Sequence, residues 1–207
     1  KGSNPNNQWR GWSLRVKPDG SWSPMSGGFR SPSGIGTNLA GDVFATDQQG
    51  NWFPTCPLMH VKRGAFHGHA DSLQFTSRPE ATFKVNLPLP KNLTVAEAAK
   101  LIPAYQLPAV WFPYRKMGMS TTDILADSTK GKFGPFAGQL FCGEFTMSFV
   151  SRVFLEKVGG EYQGACFRFR DGLDCAALRL QWGANGSMYI GQSNRGWNSL
   201  GTKSYGL

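Results

Sequence analysis

The sequence predicts an all-β fold arranged as a partial β-propeller, with about two complete blades and two half blades. Three observations carry the prediction. In 207 residues, 26 Gly and 13 Pro punctuate short apolar runs, the composition of many short strands rather than long helices. Fifteen Phe, seven Trp and five Tyr supply large flat side chains of the kind that fill the space between packed sheets. Above all, the stretch Ile35 to Phe44 recurs as Leu180 to Tyr189. Gly41, Phe44 and Trp52 fall on Gly186, Tyr189 and Trp197 at one constant offset of 145. An apolar strand, a turn through Gly and a second apolar strand form the inner hairpin of a blade, and repetition of such a unit marks a radial architecture.

The elements follow in order. Ser13 to Val16 reads as a strand with Lys17-Pro18-Asp19-Gly20 as its turn, the outer half of a blade whose inner strands are expected upstream of Lys1. Arg10-Gly11-Trp12 is echoed by Arg195-Gly196-Trp197. The next blade runs through Gly34 to Asn38 and Val43 to Asp47, with Leu58 to Lys62 as a third strand. Residues 65 to 132 form an insertion, too long for a blade connection and too rich in Pro for sheet. Within it lies the one expected helix. Thr94 and Glu97 make a capping box, Ala98, Ala99, Leu101 and Ile102 follow, and Pro103 ends it. The insertion, with Trp111-Phe112-Pro113-Tyr114, is expected to lie across one propeller face, where long loops place ligand contacts. A further blade comprises Gln139 to Phe145, Phe149 to Val158 and Tyr162 to Phe169. The last supplies Leu178 to Trp182 and Ser187 to Gly191 and is expected to stop before its outer strands. Residues 1 to 207 thus read as a single domain whose broken ends fall inside blades. A fragment of a larger propeller is expected, several copies closing a ring being the alternative.

The net charge of +9 is spread thinly, with no basic run longer than the pairs Lys62-Arg63 and Arg115-Lys116. Nucleic-acid binding is therefore not expected, while acidic polysaccharide or an acidic partner subunit stays open. No window reaches the roughly 18 apolar residues of a membrane span. The chain opens without Met or a signal-like segment, as a processed product or an internal piece would. Four cysteines form no Cys-x-x-Cys pair, so neither thiolate zinc nor a haem-attachment motif is expected. Cys56 and Cys142 read as buried small hydrophobes. Cys166 and Cys175 flank a turn and form a disulfide or remain free according to compartment.

The run Gly28-Phe29-Arg30-Ser31-Pro32-Ser33-Gly34-Ile35, then Ala40 through Asp47-Gln48-Gln49-Gly50, then Phe66-His67-Gly68-His69, resembles the soluble quinoprotein glucose and sorbosone dehydrogenase family over residues 28 to 69. Residues 134 to 197 resemble it more loosely as further blades. Phe133 to Phe141 and Glu161 to Phe167 look like the propeller of large secreted dehydrogenase-like proteins that often carry a c-type haem domain. The resemblance implies that Arg30, with Ser31 where the family has Asn, contacts pyrroloquinoline quinone (PQQ). It implies that Gln48, Gln49 and Gly50 help bind cofactor and calcium, with Asp47 as a calcium ligand. A guanidinium pairs well with a quinone carboxylate, and calcium takes hard oxygens. Asp47 reads equally as a blade-turn hydrogen-bond acceptor. The family's general base, a His, belongs to an earlier blade than any in this chain, and Arg179 lies near the place of a later family arginine.

His67 and His69, two apart, are candidate ligand-binding residues. The Gly between them and the lack of a third ligand favour turn packing over metal. His60, on an apolar strand, reads as a core residue. Arg195 and Trp197 are suited to stacking a sugar ring at an open face, or the Trp packs between blades as Trp12 and Trp52 would. Two functions follow. One is a periplasmic or extracellular PQQ- and calcium-dependent oxidation of a sugar or small alcohol. The other is a non-catalytic module that binds glycan or docks a subunit in a larger secreted assembly.

Overall fold

A computed structural model describes residues 8–194 and 199–207. The chain divides into two compact units, one formed by the described part of Lys1–Ser31 with Val61–Leu107, the other by Pro32–His60 with Pro108–Leu207. In the first, β1 (Trp12–Val16) and β2 (Trp22–Gly27) form an antiparallel hairpin. Its turn is the predicted Lys17-to-Gly20 segment, with Gly20 in the left-handed region at φ 80°. Isolated parallel bridges join Gly27 to Phe66 and Phe66 to Tyr105. A 3-10 helix spans Ala70–Phe75, and α1 (Val95–Leu101) carries the predicted capping box. There the Glu97 amide donates to Thr94 Oγ1 at 3.2 Å, and the Thr94 amide donates to Glu97 Oε2 at 2.7 Å. Trp9, Trp12, Phe66, Leu73, Phe75, Phe83 and Ile102 make the core. Trp12 stacks on Phe83 at 4.9 Å and donates its indole N–H to the Ser72 carbonyl.

The second unit holds three sheets. β3 (Gly34–Thr37), β4 (Val43–Thr46), β5 (Cys56–His60) and β6 (Val110–Phe112) pair in chain order. So do β7 (Thr121–Ala126), β8 (Leu140–Glu144), β9 (Phe149–Val158) and β10 (Glu161–Arg170). A three-stranded sheet of β11 (Ala177–Trp182), β12 (Met188–Ser193) and β13 (Tyr205–Gly206) follows. Among the described residues all strand pairs are antiparallel and no sheet closes. The repeat is carried out residue by residue. Thr37 pairs with Val43 as Trp182 pairs with Met188, and Gly41 and Gly186 turn both hairpins at φ 86° and 83°.

Two expectations need correction. Residues 65 to 132 are not sheet-free, because β6 and β7 lie inside that range. Proline misleads here. β6 is an edge strand, and Pro108 and Pro113 stand just outside it, where a missing N–H costs no ladder bond. The last blade also gains a third strand in the two residues of β13. All four cysteines are free thiols, with Cys56 and Cys142 fully buried as expected. Burial pushes the Cys142 thiol strongly up. Among the described residues no helix is long and apolar enough to cross a membrane.

Within this unit the innermost strands β3, β7 and β11 lie side by side. Glycine makes the approach possible, since a Cβ on Gly34 would run into the Thr122 carbonyl, and one on Gly36 would lie 2.6 Å from the Ile124 carbonyl. Two hydroxyls stitch across sheets. Thr46 Oγ1 donates to the Thr122 carbonyl at 2.6 Å, and Thr122 Oγ1 donates to the Ala177 carbonyl at 2.6 Å. Phe44, Leu58, Phe112, Ile124, Leu140 and Val153 fill the space between the first two blades.

The hairpin turn of the first blade is tied to the second. Tyr162 donates its hydroxyl to Asp42 Oδ2 at 2.5 Å and accepts from Asn38 Nδ2 at 2.9 Å. That hydroxyl holds the Asp42 carboxyl below its ordinary range, with Lys157 and His60 adding to the effect. A depressed carboxylate contributes stability above its ordinary titration range and loses it as pH falls. Tyr162→Phe should therefore lower stability at neutral pH by about 1 kcal/mol and flatten the acid side of a pH–denaturation series. A variant curve that overlays the wild type would refute the tie.

Candidate functional site

In the first unit, three backbone segments are pinned together. The Phe29 amide donates to the Gly11 carbonyl at 3.0 Å, the His67 amide to Gly27 at 2.8 Å and the His69 amide to Gly28 at 2.9 Å. Gly28 sits at φ 95°, and a Cβ there would meet the His67 nitrogen at 2.5 Å. The packing needs glycine on both counts. The result brings Arg10 and Arg30 within electrostatic reach of His69. Arg30 and Ser31 are exposed at the end of this segment. His67 is buried against the Phe29 ring, 4.7 Å between centroids. His69 is buried at the start of the 3-10 helix. Burial pushes the His69 imidazole down, the two guanidiniums add to this and Asp71 opposes it, so His69 is neutral at neutral pH.

In the second unit, Asp47 follows β4 and is fully buried. Its Oδ1 accepts from the Gln48 amide at 2.7 Å and its carbonyl accepts from Thr121 Oγ1 at 3.1 Å. Gln48 donates its side-chain amide to the Thr121 carbonyl at 2.7 Å. Gly50 and Phe53 exchange backbone bonds of 3.0 and 2.6 Å, and Gln49 Nε2 lies 3.5 Å from the Tyr114 hydroxyl. Asp47 Oδ1 and the Asp47 and Gly50 carbonyls each accept a hydrogen bond, and Asp47 is the single carboxylate of the Asp47 to Gly50 turn, where calcium takes six to eight oxygens. Among the described residues no three His, Cys, Asp or Glu side chains gather as a metal group.

His60 is buried between Phe44 and Tyr162, with Nε2 3.8 Å from Asp42 Oδ1, a core residue with a carboxylate neighbour. Arg179 is exposed and donates to the Leu178 carbonyl. Arg195 and Trp197 lie outside the described residues.

No family model matches the sequence, and no curated protein matches it. Solved structures do. A PQQ-bound aldose sugar dehydrogenase from Streptomyces coelicolor superposes with a TM-score of 0.58 at 17% identity, over 94% of this chain and 50% of that one. An oxidoreductase from Thermus thermophilus, described as a glucose dehydrogenase, gives 0.55 at 17% identity, over 88% and 45%. The chain has the fold of the propeller sugar dehydrogenases. It spans about half the length of these solved structures.

Within this fold, the role of the buried Glu144 escaped the sequence reading. Glu144 ends β8 in the place where Thr46 ends β4. Its carboxylate accepts from the Met119 amide at 2.8 Å, from the Ser120 amide, and from the Met147 amide at 2.5 Å. Asn194 does similar work after β12, accepting from the Ala176 amide at 3.2 Å and donating to the Lys203 carbonyl at 2.6 Å. The available signal was positional: an acceptor closing the second strand of each unit.

Proposed function

We propose that the chain is the propeller part of a PQQ-dependent sugar or alcohol dehydrogenase working in the periplasm or outside the cell. The observation that supports it is the fold shared with a PQQ-bound sugar dehydrogenase, on which the segment pinned at Gly28 carries Arg30 at its exposed end. The segment suits the cofactor. PQQ carries carboxylates, and the exposed Arg30 guanidinium offers a planar fork for one of them, with Ser31 beside it. PQQ, if bound, would supply a hydride acceptor for the alcohol carbon. His69, neutral and buried, is the residue proposed to face the ligand, while His67 packs behind it on Phe29. A neutral imidazole can exchange a hydrogen bond with a sugar hydroxyl. The proton-accepting base is assigned to a residue outside this chain, and a c-type haem domain is the proposed electron acceptor. No step is assigned to calcium.

A second reading keeps the propeller as a glycan-binding or subunit-docking module without chemistry. It is favoured by the hydrogen bonds that Asp47, Gln48 and Gly50 make within the protein. Calorimetric titration of PQQ into the native protein separates the two. Arg30→Ala should bind the quinone about 10–100-fold more weakly, the worth of a charge-assisted pair. Unchanged binding removes Arg30 from the site, and a native protein that takes up no quinone leaves the docking reading.

A further inference from the structure

One buried acid of the second unit has only half of its carboxylate served. Asp127 follows β7 directly and is 0% exposed. Its Oδ1 accepts from the Thr129 amide at 2.9 Å and from Thr129 Oγ1 at 2.7 Å. Its Oδ2 is enclosed as well and has no hydrogen-bond partner among the described residues. Glu144, an enclosed acid of the same sheet, shows the contrast, since its two oxygens take three amides. No Lys or Arg among the described residues forms an ion pair with Asp127. The nearby donors are spent elsewhere. The Trp182 indole N–H goes to the Ala126 carbonyl at 2.7 Å, the Phe133 amide to Thr129 Oγ1 at 3.1 Å and the Gly138 amide to the Asp127 carbonyl at 3.1 Å. The Arg152 guanidinium is held by Gln139 Oε1 and lies over Phe136 and Phe167, while Lys130 and Lys132 are exposed. A carboxylate oxygen enclosed without donor or counter-charge is strongly unfavourable, and buried charges are met by a partner or by a bound ion.

The chemistry of the loop selects the ion. Asp127 to Gln139 contains neither His nor Cys, so a soft or borderline metal finds no preferred ligand there. What the segment offers is hard oxygen, one carboxylate together with main-chain carbonyls. Its only acidic side chain is Asp127, set against Lys130 and Lys132, so a single negative charge is to be balanced at the buried position. That count suits a singly charged ion over calcium or magnesium, whose sites gain affinity from several carboxylates. The loop is also closed at its base, where the Asp127 amide donates to the Gln139 carbonyl at 2.8 Å, and Phe133 packs 4.7 Å from the Trp182 ring in the core behind it.

We propose that Asp127 Oδ2, with main-chain carbonyls of the 127–139 loop, holds a dehydrated alkali cation, sodium or potassium, that fixes this loop between β7 and β8. The site lies wholly within the second unit and does not depend on the dehydrogenase reading.

The test compares thermal unfolding of the native protein in sodium, potassium and choline chloride at equal ionic strength, choline being too large for an enclosed site. The wild-type midpoint should stand about 3–6 °C higher in at least one alkali salt, the effect of an ion present at roughly ten times its dissociation constant. Asp127→Asn should unfold at one midpoint in all three salts. Asp123→Asn alters a β7 carboxylate that already accepts from the Leu180 amide, and it should keep the cation dependence, which separates a bound ion from general screening. Equilibrium dialysis of wild type against radioactive sodium and rubidium, the latter standing in for potassium, should find one bound ion per chain, a readout that holds even if Asp127→Asn folds poorly. Equal wild-type midpoints in the three salts, no ion retained in dialysis, or a cation dependence that survives in Asp127→Asn would overturn the site and leave Oδ2 to a water or a proton.

Discussion

Glu144→Ala should lower the stability of the blade-bearing unit by about 3–5 kcal/mol. The side chain is 1% exposed and serves three backbone donors, Met119 and Ser120 ahead of β7 and Met147 after β8. Alanine leaves all three without an acceptor in a place water does not readily reach, and an unmade buried hydrogen bond costs more than a made one contributes. Glu144→Gln should fall between, since its amide keeps one accepting oxygen and turns an N–H toward the remaining donor. Urea midpoints at fixed slope would decide the order. The pH dependence adds a second check. Burial raises the Glu144 carboxyl, outweighing the pull of the three amides and Arg168. The folded state thus holds this proton more tightly than the unfolded chain, so the group's contribution is fullest in acid and declines as pH rises from the ordinary glutamate range through the raised folded value. Glu144→Gln should remove that decline; an unchanged slope would count against it.

Gly34→Ala should cost about 3 kcal/mol, at the upper end for an overpacked position. The added methyl collides with the Thr122 carbonyl, which is main chain and is already fixed by Thr46 Oγ1, so no side chain can swing aside. Gly41→Ala makes the control. It has open space at the Cβ position but φ 86°, so it tests backbone strain alone and should cost about 1 kcal/mol. Equal losses at the two sites would show that conformation, not close approach of the inner strands, sets the requirement for glycine.

The inner hairpins were legible because their determinants are local. A left-handed Gly at positions 41 and 186 fixes where each turn falls, the turn fixes register, and the offset of 145 then aligns every ladder pair. β6 was hidden for the opposite reason. Three residues between prolines carry no period, and Val110 to Phe112 become a strand only because β5 supplies the partner. Glu144 was invisible because its role is written in the amides of residues up to 25 positions away. Asp47 was found as a polar residue after a strand, but its partner Thr121 lies 74 positions off, so ligand and hydrogen-bond acceptor looked alike in sequence. His67 and His69 were grouped by their spacing, and the fold separates their surroundings, one packed on Phe29 and one at the start of the 3-10 helix within electrostatic reach of Arg10 and Arg30.

The hydroxyl links from Thr46 to Thr122 and from Thr122 to Ala177 also bear on how the blade-bearing unit comes apart. In an array whose repeats touch only through apolar side chains, an end repeat can fray while the rest stays folded. Here the links run from each sheet to its neighbour's main chain, so loosening one blade strands a buried carbonyl in the next. Fraying at the margin is thereby coupled to loss of the centre. Melting of the three sheets should be a single calorimetric event, and slow amide exchange should be shared across β3, β7 and β11 instead of graded from one sheet to the next.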